Sequence, residues 1–229
     1  MTGICKAGGR LMKPYYRILL PVLMLFAYGQ LASAGQAAER FHEGSQYQRI
    51  TPPSPLGKHR NKVEVVEMFF YACPHCYTMD TKMQQWLKDK PYIDFHRIPA
   101  IVGPGWADQA RAFYIARALG RFDQLHAAMF KAIHEGGKQI YNESSVIDFF
   151  VQQGEARGKV RALYRSPEIA ASVNEARLKT VKYGLRGVPA VIVNGKFKTA
   201  PYFVRDQEQM LEVLDSLVEK ERAALDKKG

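Results

Sequence analysis

Two cysteines separated by two residues, Cys73-Pro74-His75-Cys76, stand where an apolar run gives way to a helical one. Glu64 to Ala72 (EVVEMFFYA) leads into the motif and reads as a buried strand. Over Val63 to Phe70 the apolar residues Val63, Val65, Val66, Met68, Phe69 and Phe70 are nearly continuous, as in a strand covered on both faces. The stretch from Tyr77 to Lys88 carries Met79, Met83, Trp86 and Leu87 at three- and four-residue spacing, which predicts a helix that Pro91 stops. Ile93 to Ile98 alternates like a second strand. A C-x-x-C at the first junction of such a βαβ unit is read as a redox motif.

From Ala107 the pattern changes. Ala107 to Leu119, Phe122 to Ile133, Ser144 to Gln153 and Glu155 to Tyr164 read as short helices punctuated by Gly120, Gly136-Gly137, Gly154 and Ser166-Pro167. Ser144 is expected to cap the third of them. Pro167 to Tyr183 predicts a longer helix returning to the sheet and ended by Gly184. Pro189 to Lys198 reads as a hairpin around a type I′ turn at Asn194-Gly195. Asp206 to Leu225 reads as a final amphipathic helix. Strand, helix, strand, helical block, helix, hairpin, helix is the connectivity of an α/β thioredoxin fold carrying an inserted all-helical domain. The expected division is 35–62 as an extended N-terminal segment, 63–103 with 184–229 as the thioredoxin-like domain, and 104–183 as the insertion. Within the first segment, Thr51-Pro52-Pro53-Ser54-Pro55 reads as a stiff linker or an edge segment.

The first 34 residues have the layout of a secretory signal peptide. Lys6, Arg10, Lys13 and Arg17 precede an apolar run from Ile18 to Tyr28, and Ala32-Ser33-Ala34 offers a small-residue cleavage site. Met12 is an alternative start. An uncleaved anchor needs roughly 20 apolar residues, and Pro21, Tyr28 and Gln30 interrupt this run. Cleavage after Ala34 removes Cys5 and leaves Cys73 and Cys76 as the cysteines of the mature chain. Export places them where disulfides persist. The formal charge of +11 falls by four with the leader, and the remaining basic residues are scattered. A solvated basic surface is therefore expected, with no nucleic-acid partner.

The thiolate, not the thiol, attacks a disulfide, so the motif needs something that stabilises negative charge on Cys73. A helix beginning here supplies first-turn N–H groups and the positive end of the macrodipole. Pro74 suits the first helical position, and His75 adds charge or a hydrogen bond. Cys76, a turn later, is the resolving thiol. Zinc normally takes four ligands; Cys73, His75 and Cys76 lie too close together to supply three of them, and no second cysteine pair follows. An inert structural disulfide is the other reading. Two further positions stand out. Pro189 opens a strand after Gly187-Val188, either as an ordinary trans proline or through a cis bond that leaves the Val188 backbone free for an extended substrate. Glu67 interrupts an apolar strand, either as a buried acid exchanging a proton with Cys76 or as a salt-bridge partner, with Arg97 on the next strand as the candidate.

At these residues the chain resembles the DsbA family of periplasmic thiol:disulfide oxidants. The resemblance rests on Cys73-Pro74-His75-Cys76, on the strand Val65-Val66-Glu67-Met68-Phe69-Phe70, and on Leu185-Arg186-Gly187-Val188-Pro189 followed by Asn194-Gly195-Lys196. It runs from about Phe41 onward. It implies Cys73 as nucleophile, Cys76 as resolving thiol, Val188 and Pro189 lining the substrate groove, and Glu67 as the acid beneath the disulfide. It further implies reduced exported proteins as clients, a DsbB-like quinone-linked membrane partner for re-oxidation, no metal or organic cofactor, and a monomer in the periplasm. Some members pair the buried acid with a lysine; this chain offers Arg97, which does not readily give up its proton. Thr199 to Asp206 departs from the family pattern, which bears on the groove and the choice of partner. An isomerase or reductase, and a peptide-binding holdase with a structural disulfide, are the alternative functions.

Overall fold

The computed structural model describes residues 3, 40–57 and 61–227. The expected leader, Cys5 and the cleavage site lie outside the described residues, Gly3 excepted. Five strands form one sheet in the order β1-β5-β4-β2-β3. They are β1 Gln48–Arg49, β2 Val63–Phe69, β3 Ile93–Pro99, β4 Ala190–Val193 and β5 Phe197–Thr199. β2 pairs parallel with β3 and antiparallel with β4; β4 with β5, and β5 with β1, are antiparallel. The helices are α1 Pro74–Leu87, α2 Trp106–Ala118, α3 Phe122–His134, α4 Glu143–Gln152, α5 Arg157–Tyr164, α6 Pro167–Lys182 and α7 Gln207–Asp226.

The largely apolar, non-alternating character of β2 follows from its position. Val63 and Val65 pack with Met79, Met83 and Trp86 of α1 and with Met210, Val213, Leu214 and Leu217 of α7. Val66 and Met68 face the other way, onto Ile50, Ala100, Tyr183 and Ile192. Both faces of the strand are covered, so no position pays for polarity with solvent. Helices α2 to α6 follow one another without a strand and share a separate core around Phe113, Leu125, Phe130, Val146 and Phe150. Phe69, Tyr71 and Cys76 belong to that same cluster. The cysteine motif therefore sits where the helical core meets the end of β2.

Two helix starts differ from the sequence expectation. Asn142, not Ser144, caps α4: its side chain accepts from the Ser145 N–H at 2.9 Å, and the Ser145 hydroxyl answers at the Asn142 N–H in a capping box. Ser144 lies inside the helix and its hydroxyl turns to Asp148. Glu155 does not open α5, which begins at Arg157; it pairs with Arg121 at 2.5 Å instead. Ser166 caps α6 with Pro167 in its first turn, and Gly184 follows the helix at φ +60°. Thr51 to Pro55 is an edge segment rather than a linker. It continues beyond β1 across the hairpin, with the Ile50 N–H donating to Lys196 O at 2.7 Å and the Ser54 N–H to Gly195 O at 2.9 Å.

The Asn194-Gly195 turn has φ of 49° and 61°, as a type I′ turn requires. Asn194 also stitches the hairpin to the rest of the molecule. Its side-chain oxygen accepts from the Glu64 N–H at 2.8 Å and its amide donates to Glu221 at 2.7 Å. At Gly195 a Cβ would lie 2.2 Å from the backbone of Ser54 and Pro55. Gly195→Ala is thus expected to destabilise the fold by about 2 kcal/mol, combining a left-handed backbone with a clash against main chain. Urea unfolding checks this; a change below about 0.5 kcal/mol would show that the edge segment yields freely.

Candidate active site

Cys73 is the N-cap of α1, with extended backbone (φ −86°, ψ 116°), and Pro74 occupies the first turn. The motif is therefore built by the helix start itself. Proline needs no N–H there and leaves the other first-turn amides facing the Cys73 side chain. Cys73 is half-buried and Cys76 has no solvent exposure; both are free thiols. The Cys73 thiol is held down at about 6, chiefly by a hydrogen bond from the Cys76 thiol. Partial burial works against this, and the backbone amides of Cys76 and His75 and the charge of His75 reinforce it. Cys76 moves the opposite way: burial, then the hydrogen bond to and the charge of Cys73, push its pKa well up. One sulfur is a ready thiolate and the other a buried thiol, from residues three apart on one helix.

Cys73 Sγ lies 3.6 Å from the carbonyl oxygen of Val188, and the Val188–Pro189 bond is cis. The proline loop and the motif thus meet in space although they lie far apart in the sequence. His75 is exposed. Its carbonyl accepts from Gln207 Nε2 at 2.6 Å, and Gln207 Oε1 accepts from the Thr78 hydroxyl at 3.1 Å. With the Lys82–Glu208 ion pair, these contacts tie the start of α7 to the exposed side of α1.

Glu67 is 1 % exposed and sits directly opposite Arg97 in the β2–β3 register. The pair expected from the sequence is present, with Arg97 Nε donating to Glu67 at 3.1 Å. Burial nevertheless pushes the Glu67 carboxyl up to about 7, against the pull of Arg97 and with the help of Asp80. The charge of Glu67 in turn raises Cys76. Arg97 is shared, because its other arm reaches Asp80 of α1 at 2.8 Å.

Asp80 extends this cluster into the helical core. Its carboxylate also meets His126 Nε2 at 3.2 Å and the Gln84 amide at 2.7 Å, and His126 Nδ1 meets the Tyr71 hydroxyl at 2.8 Å. Burial opposes ionisation of Asp80, but the His126 hydrogen bond, Arg97 and Gln84 hold its carboxyl below the usual range. Burial likewise pushes the His126 imidazole down. An ionised Asp80 only accepts, so Nε2 carries the proton of the neutral ring and the tyrosine donates to Nδ1. The loop before the nucleophile is pinned twice more: His134 Nε2 meets Tyr71 O at 2.7 Å, and Gln109 accepts from the Ala72 N–H at 3.0 Å.

Sequence reasoning missed Asp80, His126, His134 and Gln109. Asp80 had a local signal, a charge beside Met79 and Met83 on the apolar face of α1. The others carry none, since they reach the site only by tertiary packing.

Comparison with known proteins follows the same lines. A family model described as a DSBA-like thioredoxin domain matches residues 81–215. The thiol:disulfide interchange protein DsbA of Pseudomonas syringae pv. tomato is 33% identical over 209 residues, covering 91% of this chain and 97% of that protein. The protein of the same name from Burkholderia cepacia is 33% identical over 191 residues, covering 83% and 89%. The crystal structure of Pseudomonas aeruginosa DsbA superposes with a TM-score of 0.76 at 32% identity, over 82% of this chain and 98% of that one. The oxidoreductase DsbA from Xylella fastidiosa gives 0.73 at 33% identity, over 80% and 98%.

Proposed function

The chain is a thiol:disulfide oxidoreductase belonging to the DsbA-like thioredoxin family, and from that premise we propose that Cys73 and Cys76 are its redox pair and that it works as an oxidant of exported proteins in the periplasm. The observation that carries this reading is the asymmetry of the two sulfurs, with Cys73 held down at about 6 and accessible while Cys76 is buried and pushed up.

In the oxidised protein a client thiolate attacks Cys73 Sγ. The Cys73–Cys76 bond breaks, a client–Cys73 bond forms, and Cys76 leaves with the electron pair and takes a proton. Glu67, neutral below about 7, is the near acid for that proton. A second client thiolate then attacks the client sulfur of the mixed disulfide, and Cys73 leaves as a thiolate. The client is oxidised to a disulfide and the protein is reduced to the dithiol. Stabilising the departing Cys73 thiolate drives the exchange forward, which is what an oxidant requires. Val188 and Pro189 border the groove where the client backbone lies, and Pro74 and His75 tune Cys73. A DsbB-like membrane partner returns the pair to the disulfide. On the same reading residues 1–34 are a cleaved leader, 63–103 with 184–229 form the thioredoxin-like domain, and 104–183 are the insertion.

Cys76→Ala is the direct test. Without the resolving thiol, Cys73 has no internal partner, so client disulfides attacked by it stay covalently attached. Exported cysteine-containing proteins are expected as adducts in non-reducing gels, lost on adding dithiothreitol and absent in the Cys73→Ser, Cys76→Ala double variant. Adducts that persist in the double variant, or none in Cys76→Ala, would sink the assignment.

A further inference from the structure

A cavity of about 490 Å³ is lined by Gly44, Gln48, Arg186, Lys198, Tyr202 and Phe203. Its lining holds two cations and no carboxylate. Lys198 is only 6 % exposed. Its ammonium donates to the carbonyls of Tyr183 at 2.9 Å and Gly184 at 2.7 Å, which leaves one of its three donors over. Burial and the like charge of Arg186 both push its pKa down, with no acid acting to restore it. Arg186 is exposed, and among the described residues neither cation forms an ion pair. The Tyr202 hydroxyl also lines the cavity, and a phenol can donate its proton to an anion.

A buried cation beside a second cation, without a counter-ion, is an unfavourable arrangement that an anion relieves. The donor set suits a carboxylate: a guanidinium fork, one ammonium hydrogen, a phenol and the Gln48 amide. Arg186 stands two residues from Val188, whose carbonyl faces Cys73 Sγ. An extended client rises about 3.3 Å per residue, so a chain lying along Val188 carries its neighbouring side chains past the Arg186 end of the loop. We propose that the cavity is a carboxylate subsite that favours clients bearing an acidic group near the cysteine to be oxidised. The proposal rests on the reading that clients lie along Val188 and Pro189. It also gives a role to the divergent stretch Thr199 to Asp206, which supplies Tyr202 and Phe203.

Stopped-flow oxidation of synthetic cysteine peptides by the oxidised protein tests it. One series places Glu or Gln at each position within four residues of the cysteine, on either side. A second compares a free C-terminal carboxylate with its amide, which separates side-chain from terminal recognition. At one position or in the terminal pair, the acidic peptide is expected to react roughly threefold to tenfold faster than its neutral isostere at low salt, a preference that fades with added salt. Arg186→Gln should bring that ratio close to one, and Arg186→Glu should invert it. Ratios of one throughout for the unaltered protein, or a preference that survives Arg186→Glu, overturn the subsite. Failure of the neutral peptides to be oxidised at all would instead overturn the oxidant reading beneath it.

Discussion

Cys73→Ser is expected to abolish disulfide donation, with turnover falling by at least about a thousandfold, because both exchange steps form or break a bond at this one sulfur. The same site predicts an unusual pH profile in the unaltered, reduced protein. A thiol held at about 6 is mostly thiolate at pH 7, whereas an ordinary cysteine near 8.5 is only a few per cent thiolate there. Iodoacetamide should therefore modify Cys73 rapidly at pH 7 and at about half its limiting rate at pH 6. Cys76, without solvent exposure and with its pKa raised, should stay unmodified in the folded protein. Mass spectrometry of the alkylated protein reads the two sites separately. Two equal slow thiols would show that the helix start does not stabilise charge on Cys73, and the oxidant reading would fall with it. The hydrogen bond from Cys76 is the largest influence on Cys73, so Cys76→Ala should shift the alkylation profile to higher pH while leaving Cys73 reactive.

What the sequence made readable follows where local chemistry and tertiary position agree. β2 announces itself because both of its faces are covered, so its pattern is continuous rather than alternating. The hairpin announces itself because Asn194 and Gly195 are the residues that take positive φ cheaply. The strand β1 does not: Gln48 and Arg49 are polar and exposed, and their pairing with Lys198 and Phe197 depends on a contact across most of the chain. At Asn142 and Ser144 the sequence offers two residues of equal capping chemistry, and the chain uses Asn142, whose side chain closes a reciprocal capping box with Ser145. The site divides in the same way. The cysteines, Pro74, Val188 and Pro189 stand in local motifs. The Glu67–Arg97 pair follows from strand register once β2 and β3 are recognised. His126 reaches Asp80 only through the packing of α3 against α1, so nothing near it in sequence announces its place in the charge cluster.

That cluster holds one arginine between two carboxylates, and the two are not equivalent. Asp80 receives hydrogen bonds from His126 and Gln84 in addition to Arg97, and stays ionised. Glu67 receives Arg97 alone and lies almost wholly buried, so burial prevails and its carboxyl rises to about 7. An acid whose folded pKa exceeds its unfolded value of 4.5 binds a proton in the folded state that the unfolded chain has released. Its favourable contribution is complete below about 4.5 and is lost as pH rises through 7. The span of about 2.5 pKa units corresponds to about 3 kcal/mol. Glu67→Gln keeps an oxygen for Arg97 Nε and removes the charge, so it should match the unaltered reduced protein near pH 4. At pH 8 it should be more stable by about 3 kcal/mol. Urea unfolding of the reduced protein at both pH values measures the difference directly. A gap of the same size at pH 4 and pH 8 would mean that Glu67 carries no titrating proton in this range. It could not then be the acid that protonates Cys76 as the disulfide opens.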